Sequence, residues 1–212
     1  MFISVDTYEE MYLKDKDAKV VENEVQKLRN EISRIKRKME MPSYVYSEKR
    51  FPTDDQIIEM CREYFKKAIE VLGSFIGADN ALTEEEKSAA LTDSMTYDIS
   101  CLTLTVGRHF EYKFELDISD LGARIMKTRL GEETTVEEKD RDAMLSGIYA
   151  LHLGEWKASY MPQDYECTLN EPVKWQVRID YYGAAAPRFY DGVGIFPYNF
   201  SMLCKLLGAE WV

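Results

Sequence analysis

The sequence feature that most limits the fold is a run of apolar residues spaced alternately four and three positions apart between residues 21 and 39. This spacing places one apolar stripe along a helix and is typical of a coiled-coil seam. Charged residues fill most other positions, so the stripe is narrow and requires a partner helix, and Pro42 ends the element. The seam residues are Val21, Val25, Leu28, Ile32, Ile35 and Met39.

A second helix is predicted to begin after Thr53, because Thr53 and Gln56 have the spacing of a capping box. Its wider apolar face comprises Ile57, Ile58, Cys61, Phe65, Ala68, Leu72 and Phe75. We expect the two helices to form an antiparallel hairpin within one chain. In the alternative, the first helix pairs with its own copy and the protein is a coiled-coil homodimeric adaptor. Another capping box, at Thr83, predicts a short helix through about Leu91.

From Tyr97 onward the apolar period becomes two, which is the period of a β-strand. Segments 99–106 and 110–116 are predicted to form one hairpin, and segment 174–181 a second hairpin with the strand that begins at Arg188. A short helix ending at Gly208 follows the second hairpin. Between the hairpins, the pattern favours a short helix near 120–130, a charged helix from about 135 to 151, and a strand over 156–160.

These elements predict an α+β protein, in which a helical, coiled-coil-like N-terminal arm joins a body of antiparallel hairpins packed with short helices. We expect an N-terminal region over residues 1–41, a helical segment over 42–96 and the α+β body over 97–212. The hydrophobic content of 45% is that of a chain that folds.

Charge is unevenly distributed along the chain, whose formal net charge is −11. Residues 51–212 contain 16 Lys and Arg against 28 Asp and Glu, so the body repels nucleic-acid phosphates. The stretch 27–38, by contrast, is basic, with Lys27, Arg29, Arg34, Lys36, Arg37 and Lys38 against one glutamate. This basic stretch is either the solvated side of a paired helix or a surface that contacts RNA or DNA. Nucleic-acid contact is possible only through this stretch.

Several classes of site are disfavoured by the residues present. The four cysteines are widely spaced, which argues against a zinc site and favours reduced thiols in the cytosol. The Gly-Val-Gly segment after Asp191 lacks the remaining residues of a phosphate loop, so no cofactor is expected. A membrane-spanning helix is not expected, because no apolar run is long enough.

The enzymatic alternative is a magnesium-dependent nuclease using Asp98, Glu111 and Lys113. An aspartate on one strand and Glu-x-Lys on the next can hold a metal ion and orient a water molecule. Strand alternation offers a simpler interpretation, in which Phe110, Tyr112, Phe114 and Leu116 face the core and His109, Glu111, Lys113, Glu115 and Asp117 form a solvated outer face. His109 and His152 are the only histidines, and no complete catalytic set includes either.

The last 40 residues or so, with Trp175 to Tyr181, Phe189, Gly192, the segment 196–200 and Leu203 to Leu207, resemble a tail module of uncharacterised proteins from Firmicutes and their phages. The resemblance implies no catalytic residue, and it is compatible with a small inhibitor, of the anti-CRISPR type, that binds a nuclease. We therefore expect a non-enzymatic, acidic protein-binding module whose partner is a basic nucleic-acid-handling protein. Its expected contacts are the basic stretch and Glu111, Glu115 and Asp117.

Overall fold

The computed structural model describes residues 3–46 and 51–209 and has the predicted α+β architecture. The chain divides into two compact units, residues 1–87 and 88–212, and the boundary falls within helix α5. The sequence had placed its breaks near residues 42 and 97 instead. The helices are α1 (Val5–Tyr8), a π-helical segment (Glu9–Leu13), α2 (Ala18–Glu40), α3 (Asp54–Ile76), α4 (Ala78–Ala81), α5 (Glu84–Ser94), α6 (Arg141–Tyr149) and α7 (Phe200–Leu206).

The first unit is built on the α2–α3 hairpin, which confirms the predicted intramolecular pairing. Val21, Val25 and Leu28 of the seam are buried and belong to one core cluster with Cys61 and Ala68 of α3. The seam is therefore covered within the chain and is not available as the interface of a coiled-coil homodimer. The predicted capping box at Thr53 and Gln56 is present, as is the one between Thr83 and Glu86.

The N-terminal segment completes the core of this unit. Tyr8 stacks on Tyr64 of α3 with ring centroids 4.1 Å apart. Its hydroxyl donates a 2.7 Å hydrogen bond to Glu24 of α2, and the Tyr64 hydroxyl donates to the carbonyl of Ile3 at 2.6 Å. Each buried phenol thus has a hydrogen-bond acceptor, which removes the desolvation cost of burying its polar end.

The second unit contains a seven-stranded sheet in the order β4-β3-β2-β1-β6-β7-β5. The strands are β1 (Ile99–Gly107), β2 (Tyr112–Ser119), β3 (Gly122–Arg129), β4 (Glu132–Lys139), β5 (Ser159–Tyr160), β6 (Lys174–Tyr181) and β7 (Arg188–Val193). Both predicted hairpins, β1–β2 and β6–β7, are confirmed. Antiparallel pairing of β1 with β6 joins them into a single sheet.

The segment between the hairpins is where the sequence prediction is wrong. Strand β3 replaces the helix expected near 120–130, and β4 replaces the first part of the helix expected from 135, so that only α6 is helical there. Of the strand expected over 156–160, only Ser159 and Tyr160 pair, in parallel, with β7. Phe110, expected to face the core, is 45% exposed and has φ of +57° because it lies in the β1–β2 turn.

One face of the sheet carries the core of the second unit. Leu102, Leu116 and Ile179 on adjacent strands are fully or almost fully buried there. Trp175 of β6 is also buried, donates a 2.7 Å hydrogen bond to the carbonyl of Ile195 and lies 4.8 Å from the Phe200 ring of α7. The alternation of the strands places the polar side chains on the opposite face, which we call the polar face.

Candidate functional site

The residues of the nuclease hypothesis do not come together. Asp98 precedes β1, whereas Glu111 precedes β2 at the other end of the same hairpin, where Val106 pairs with Tyr112. The length of β1 separates the two carboxylates by roughly 25–30 Å. The proposed metal-binding set of Asp98, Glu111 and Lys113 is therefore not assembled. The short turn after β1 places Glu111 beside the end of that strand, whereas Asp98 lies before its start.

Glu111 organises the β1–β2 turn. Its carboxylate accepts a 3.1 Å hydrogen bond from the backbone N–H of His109. Hydrogen bonds from its own backbone N–H and from that of His109 lower the pKa of this exposed carboxyl group. Gly107 has φ of +128°, and a Cβ there would overlap the Glu111 carboxylate. The predicted outer-face residues Glu111 and His109 thus belong to a tight turn.

The other predicted contact residues, Glu115 and Asp117, lie on the polar face. Lys113 forms an ion pair with Glu115, and Arg178 forms one with Asp180 at 2.7 Å. These pairs balance much of the charge at the centre of this face. Lys113, assigned a catalytic role in the nuclease hypothesis, instead neutralises its neighbour on the same strand.

Three groups on the polar face could hold a cation. Ligand atoms of Cys101, Glu115 and Asp117 lie within 4.8 Å of one another, and no other such grouping occurs among the described residues. Burial raises the pKa of the Cys101 thiol to about 11, against the hydrogen bond with Thr103, which lowers it, and together with the Asp117 carboxylate, which raises it further. The thiol is protonated at neutral pH, so a metal ion would have to displace its proton and compete with Lys113 for Glu115.

The second histidine serves a different part of the unit. His152 has φ of +47°, and its Nδ1 lies 3.4 Å from a carboxylate oxygen of Asp93 on α5. The other Asp93 oxygen accepts a 2.8 Å hydrogen bond from the N–H of Gly154. A Cβ at Gly154 would overlap the backbone of Ala89. Asp93 therefore fastens the 152–154 segment to α5, and this contact explains why glycine is required.

The basic stretch has its charges paired within the first unit. Arg29 makes a bidentate contact with Glu86 at 2.7 and 2.9 Å and also donates to the carbonyl of Ala81 at 2.9 Å. Lys38 lies 2.6 Å from the buried Asp54. Lys27 and Arg34 form ion pairs with glutamates three residues away on α2. Lys36 and Arg37 also have interactions. This pairing favours the solvated-helix interpretation of the stretch over nucleic-acid contact.

A cleft of about 380 Å³ lies beside Lys38, where α2 leads into the loop before α3. The Tyr44 hydroxyl donates a 3.0 Å hydrogen bond to Asp54 there. Burial, together with the Asp54 carboxylate, raises the pKa of Tyr44 to about 12. The phenol therefore stays protonated and shares the buried carboxylate with Lys38, which is a structural arrangement rather than a reactive one.

The sequence prediction missed the most acidic feature of the sheet, which we call the acidic edge. It consists of Glu132, Glu133, Glu137 and Glu138 on β4. Strand β4 is at the end of the sheet, and among the described residues only β3 pairs with it. Glu137 pairs with Lys127 and Lys139, which lower its pKa to about 2, whereas no ion pair of a described residue engages Glu132 or Glu133.

A cleft of about 440 Å³ adjoins the C-terminal end of the acidic edge. Asp120, Asp140 and Asp142 line it together with Lys139 and Arg141. Asp140 caps α6 by accepting a 2.7 Å hydrogen bond from the N–H of Ala143, and Arg141 pairs with Asp142. Three aspartates and two cations therefore lie together at the end of the strand.

Two local signals could have revealed this edge. The Leu130-Gly131 pair joins β3 to β4 as a two-residue hairpin turn, in which both residues have positive φ and glycine is favoured at the second position. The Thr-Thr-Val segment of β4 is β-branched and favours a strand over a helix.

None of the described helices combines the length and apolarity needed to cross a membrane. Comparison with known proteins finds no matching family model, no matching curated protein and no matching solved structure, so the function is argued from the geometry of the chain.

Proposed function

We propose that the protein is a non-enzymatic protein-binding module whose sheet unit recognises a basic partner. The observation that carries the proposal is the acidic edge, where Glu132 and Glu133 are exposed and no ion pair of a described residue engages them, in contrast to Arg29 and Lys38 of the basic stretch. Complementary charge steers association and excludes partners of the same sign. Glu132 and Glu133 retain this capacity, whereas Glu137 pairs with Lys127 and Lys139 and Glu138 lies 4.0 Å from Arg124.

The partner class we propose is a protein that handles nucleic acids, such as a CRISPR nuclease, which the protein would inhibit. Such enzymes hold phosphates in grooves lined with Lys and Arg, and a surface of glutamates and aspartates can occupy the same groove. The acidic edge supplies this charge, and Asp120, Asp140 and Asp142 line the adjoining cleft together with Lys139 and Arg141. The resemblance of the last 40 residues to phage proteins supports the same class of partner.

The test is DNA cleavage by a panel of purified RNA-guided nucleases, with and without the protein. We expect one member of the panel to lose activity and to form a complex with the protein in size-exclusion chromatography. The double variant Glu132→Lys/Glu138→Lys should lose most of this inhibition. The matched control Glu22→Lys/Glu63→Lys changes two exposed glutamates of the helical unit and should inhibit like the unaltered protein.

Equal inhibition by both double variants would show that the acidic edge does not bind the partner. An absence of complex formation and inhibition across the panel would contradict the proposed partner class.

Neither alternative function is favoured by a specific contact. Labelled RNA and DNA incubated with magnesium should remain intact, because the Asp98 and Glu111 carboxylates lie at opposite ends of a strand. The mass of the protein in solution should show no dimer formed through the α2 seam, because α3 covers the seam within one chain.

A further inference from the structure

We infer that the acidic edge binds an extended basic segment of the partner as an additional antiparallel or parallel strand next to β4. The inference rests on the proposed function and adds the mode of binding and the pattern of residues recognised. It follows from the open hydrogen-bonding edge of β4, from the order of side chains along it and from the charge of those side chains.

The backbone of β4 provides the first part of the argument. Its inner edge pairs with β3 from Glu132 to Lys139, and no backbone hydrogen bond among the described residues joins its outer edge to another element. Alternate N–H and C=O groups of an edge strand point away from the sheet and can pair with an added strand. Eight residues span about 27 Å, which is long enough for several such hydrogen bonds.

The register of β3 with β4 gives the pattern that an added strand would meet. Glu133, Val136 and Glu138 pair with Thr128, Met126 and Arg124, and a β-bulge between Glu133 and Thr135 keeps all three on the polar side. Opposite charges and apolar contacts across neighbouring strands stabilise pairing. The best complement is therefore an apolar residue flanked, two positions away on each side, by Lys or Arg.

Self-association through this edge gains no net charge complementarity. Pairing two copies of β4 antiparallel about its centre would place Glu132 of one copy opposite Lys139 of the other, which is favourable, but also Glu133 opposite Glu138, and like charges directly opposite one another destabilise a sheet. Charged edges often serve only to prevent such pairing. Here four of the five charged side chains of β4 are glutamates, and three aspartates line the cleft beyond the end of the strand together with Lys139 and Arg141.

The probe for this inference is a synthetic peptide of nine residues in which lysines flank a central valine with threonines between them. Its control has prolines in place of the threonines, so it keeps the charge but loses backbone N–H donors. By fluorescence anisotropy at about 50 mM salt, where charges are weakly screened, we expect the threonine peptide to bind the full chain at least tenfold more tightly.

Amide hydrogen exchange distinguishes strand addition from charge attraction. On binding the threonine peptide, alternate amides of β4 should become protected, while the intervening amides, already paired with β3, should change little. Proline substitutions Thr135→Pro and Val136→Pro provide a second test, because of two adjacent N–H groups in a strand one points toward β3 and the other points outward. The variant that loses the outward-pointing N–H should lose binding of the peptide, while its β3 amides stay protected from exchange.

Equal affinity for the two peptides with no protection of β4 would overturn strand addition. If the variant Glu132→Lys/Glu138→Lys nevertheless lost binding of both peptides, recognition of a basic partner would stand, but without strand addition. If neither peptide bound the unaltered protein, and the same variant inhibited the nuclease as well as the unaltered protein does, both proposals would fail.

Discussion

Helix α2 and strand β4 are two highly charged elements of this chain, and their charges have opposite structural roles. In α2 the charged residues surround a buried seam, and Arg29 and Lys38 find acidic partners within the same unit. In β4 no described side chain is buried, and Glu132 and Glu133 have no ion-pair partner among the described residues. A run of charge therefore indicates a binding surface only when nothing within the chain neutralises it.

The largest effect should come from breaking the buried seam of α2. Leu28 is 6% exposed and lies in the core cluster with α3, so Leu28→Ala should lower the free energy of unfolding by about 3 kcal/mol. Val136 is 37% exposed on β4, and Val136→Ala should lower it by less than about 1 kcal/mol. Urea unfolding followed by circular dichroism measures both, and equal effects would contradict the contrast between the two elements.

The next effect should come from removing a paired charge of the basic stretch. Arg29→Ala leaves the partly buried Glu86 without its bidentate partner and should lower the free energy of unfolding by about 1–2 kcal/mol. Lys27 is exposed, so Lys27→Ala should change it by less than about 0.5 kcal/mol. If the two substitutions had the same cost, the basic stretch would not be held by specific partners.

The pairing of Arg29 with Glu86 should also give the helical unit a dependence on pH. Burial alone would raise the pKa of Glu86, but hydrogen bonds from Arg29 and Thr83 outweigh it and lower the pKa below its usual value. The folded state therefore binds the proton less readily than the unfolded chain. The stabilisation is present above the unfolded pKa and is lost as the pH falls through the folded pKa.

Unfolding free energies of the unaltered protein and Glu86→Gln, measured from pH 6 to pH 3, test this dependence. The difference between them should shrink as the pH falls. Glu132→Gln is the control on β4, where no ion pair of a described residue is lost, and it should differ little from the unaltered protein at any pH. A constant difference for Glu86→Gln would contradict the assignment.

The smallest expected effect concerns the turn that positions β4. Leu130 has φ of +51°, which is unfavourable for leucine and acceptable for asparagine. Leu130→Asn should raise the free energy of unfolding by about 0.5–1 kcal/mol. Leu121 is fully exposed in the preceding turn without a positive φ, so Leu121→Asn is the matched control and should have almost no effect. Equal changes would show that backbone strain at Leu130 does not limit the hairpin.

Much of the fold could be predicted from local sequence patterns. The seam of α2, the capping box at Thr53 and the alternation in β1, β2 and β6 each depend on residues close together in the chain, and each is confirmed. The β3–β4 hairpin could not be predicted in the same way. Its outer strand buries no described side chain, so no apolar alternation marks it, and it forms because β2 provides an edge for β3.

The candidate site was harder to predict from the sequence than the fold was. Asp98 and Glu111 are close in sequence and are predicted on one hairpin, but only the register shows that they lie at its opposite ends. The charge of β4 was visible in the sequence, whereas its place at the edge of a seven-stranded sheet depends on the pairing of β1 with β6, more than 60 residues apart.

The α+β class, the helical hairpin and the two β-hairpins follow from local sequence patterns, because the apolar period and the capping residues act over a few positions along the chain. Which charges are neutralised and which remain exposed depends on the tertiary structure. Electrostatic pairing depends on distance in space, and residues such as Arg29 and Glu86, 57 positions apart, meet only when the helices pack. By the same rule, Glu132 and Glu133 remain exposed, with no ion pair to a residue in the described part of the chain, although Arg129 lies opposite Glu132 in the strand register.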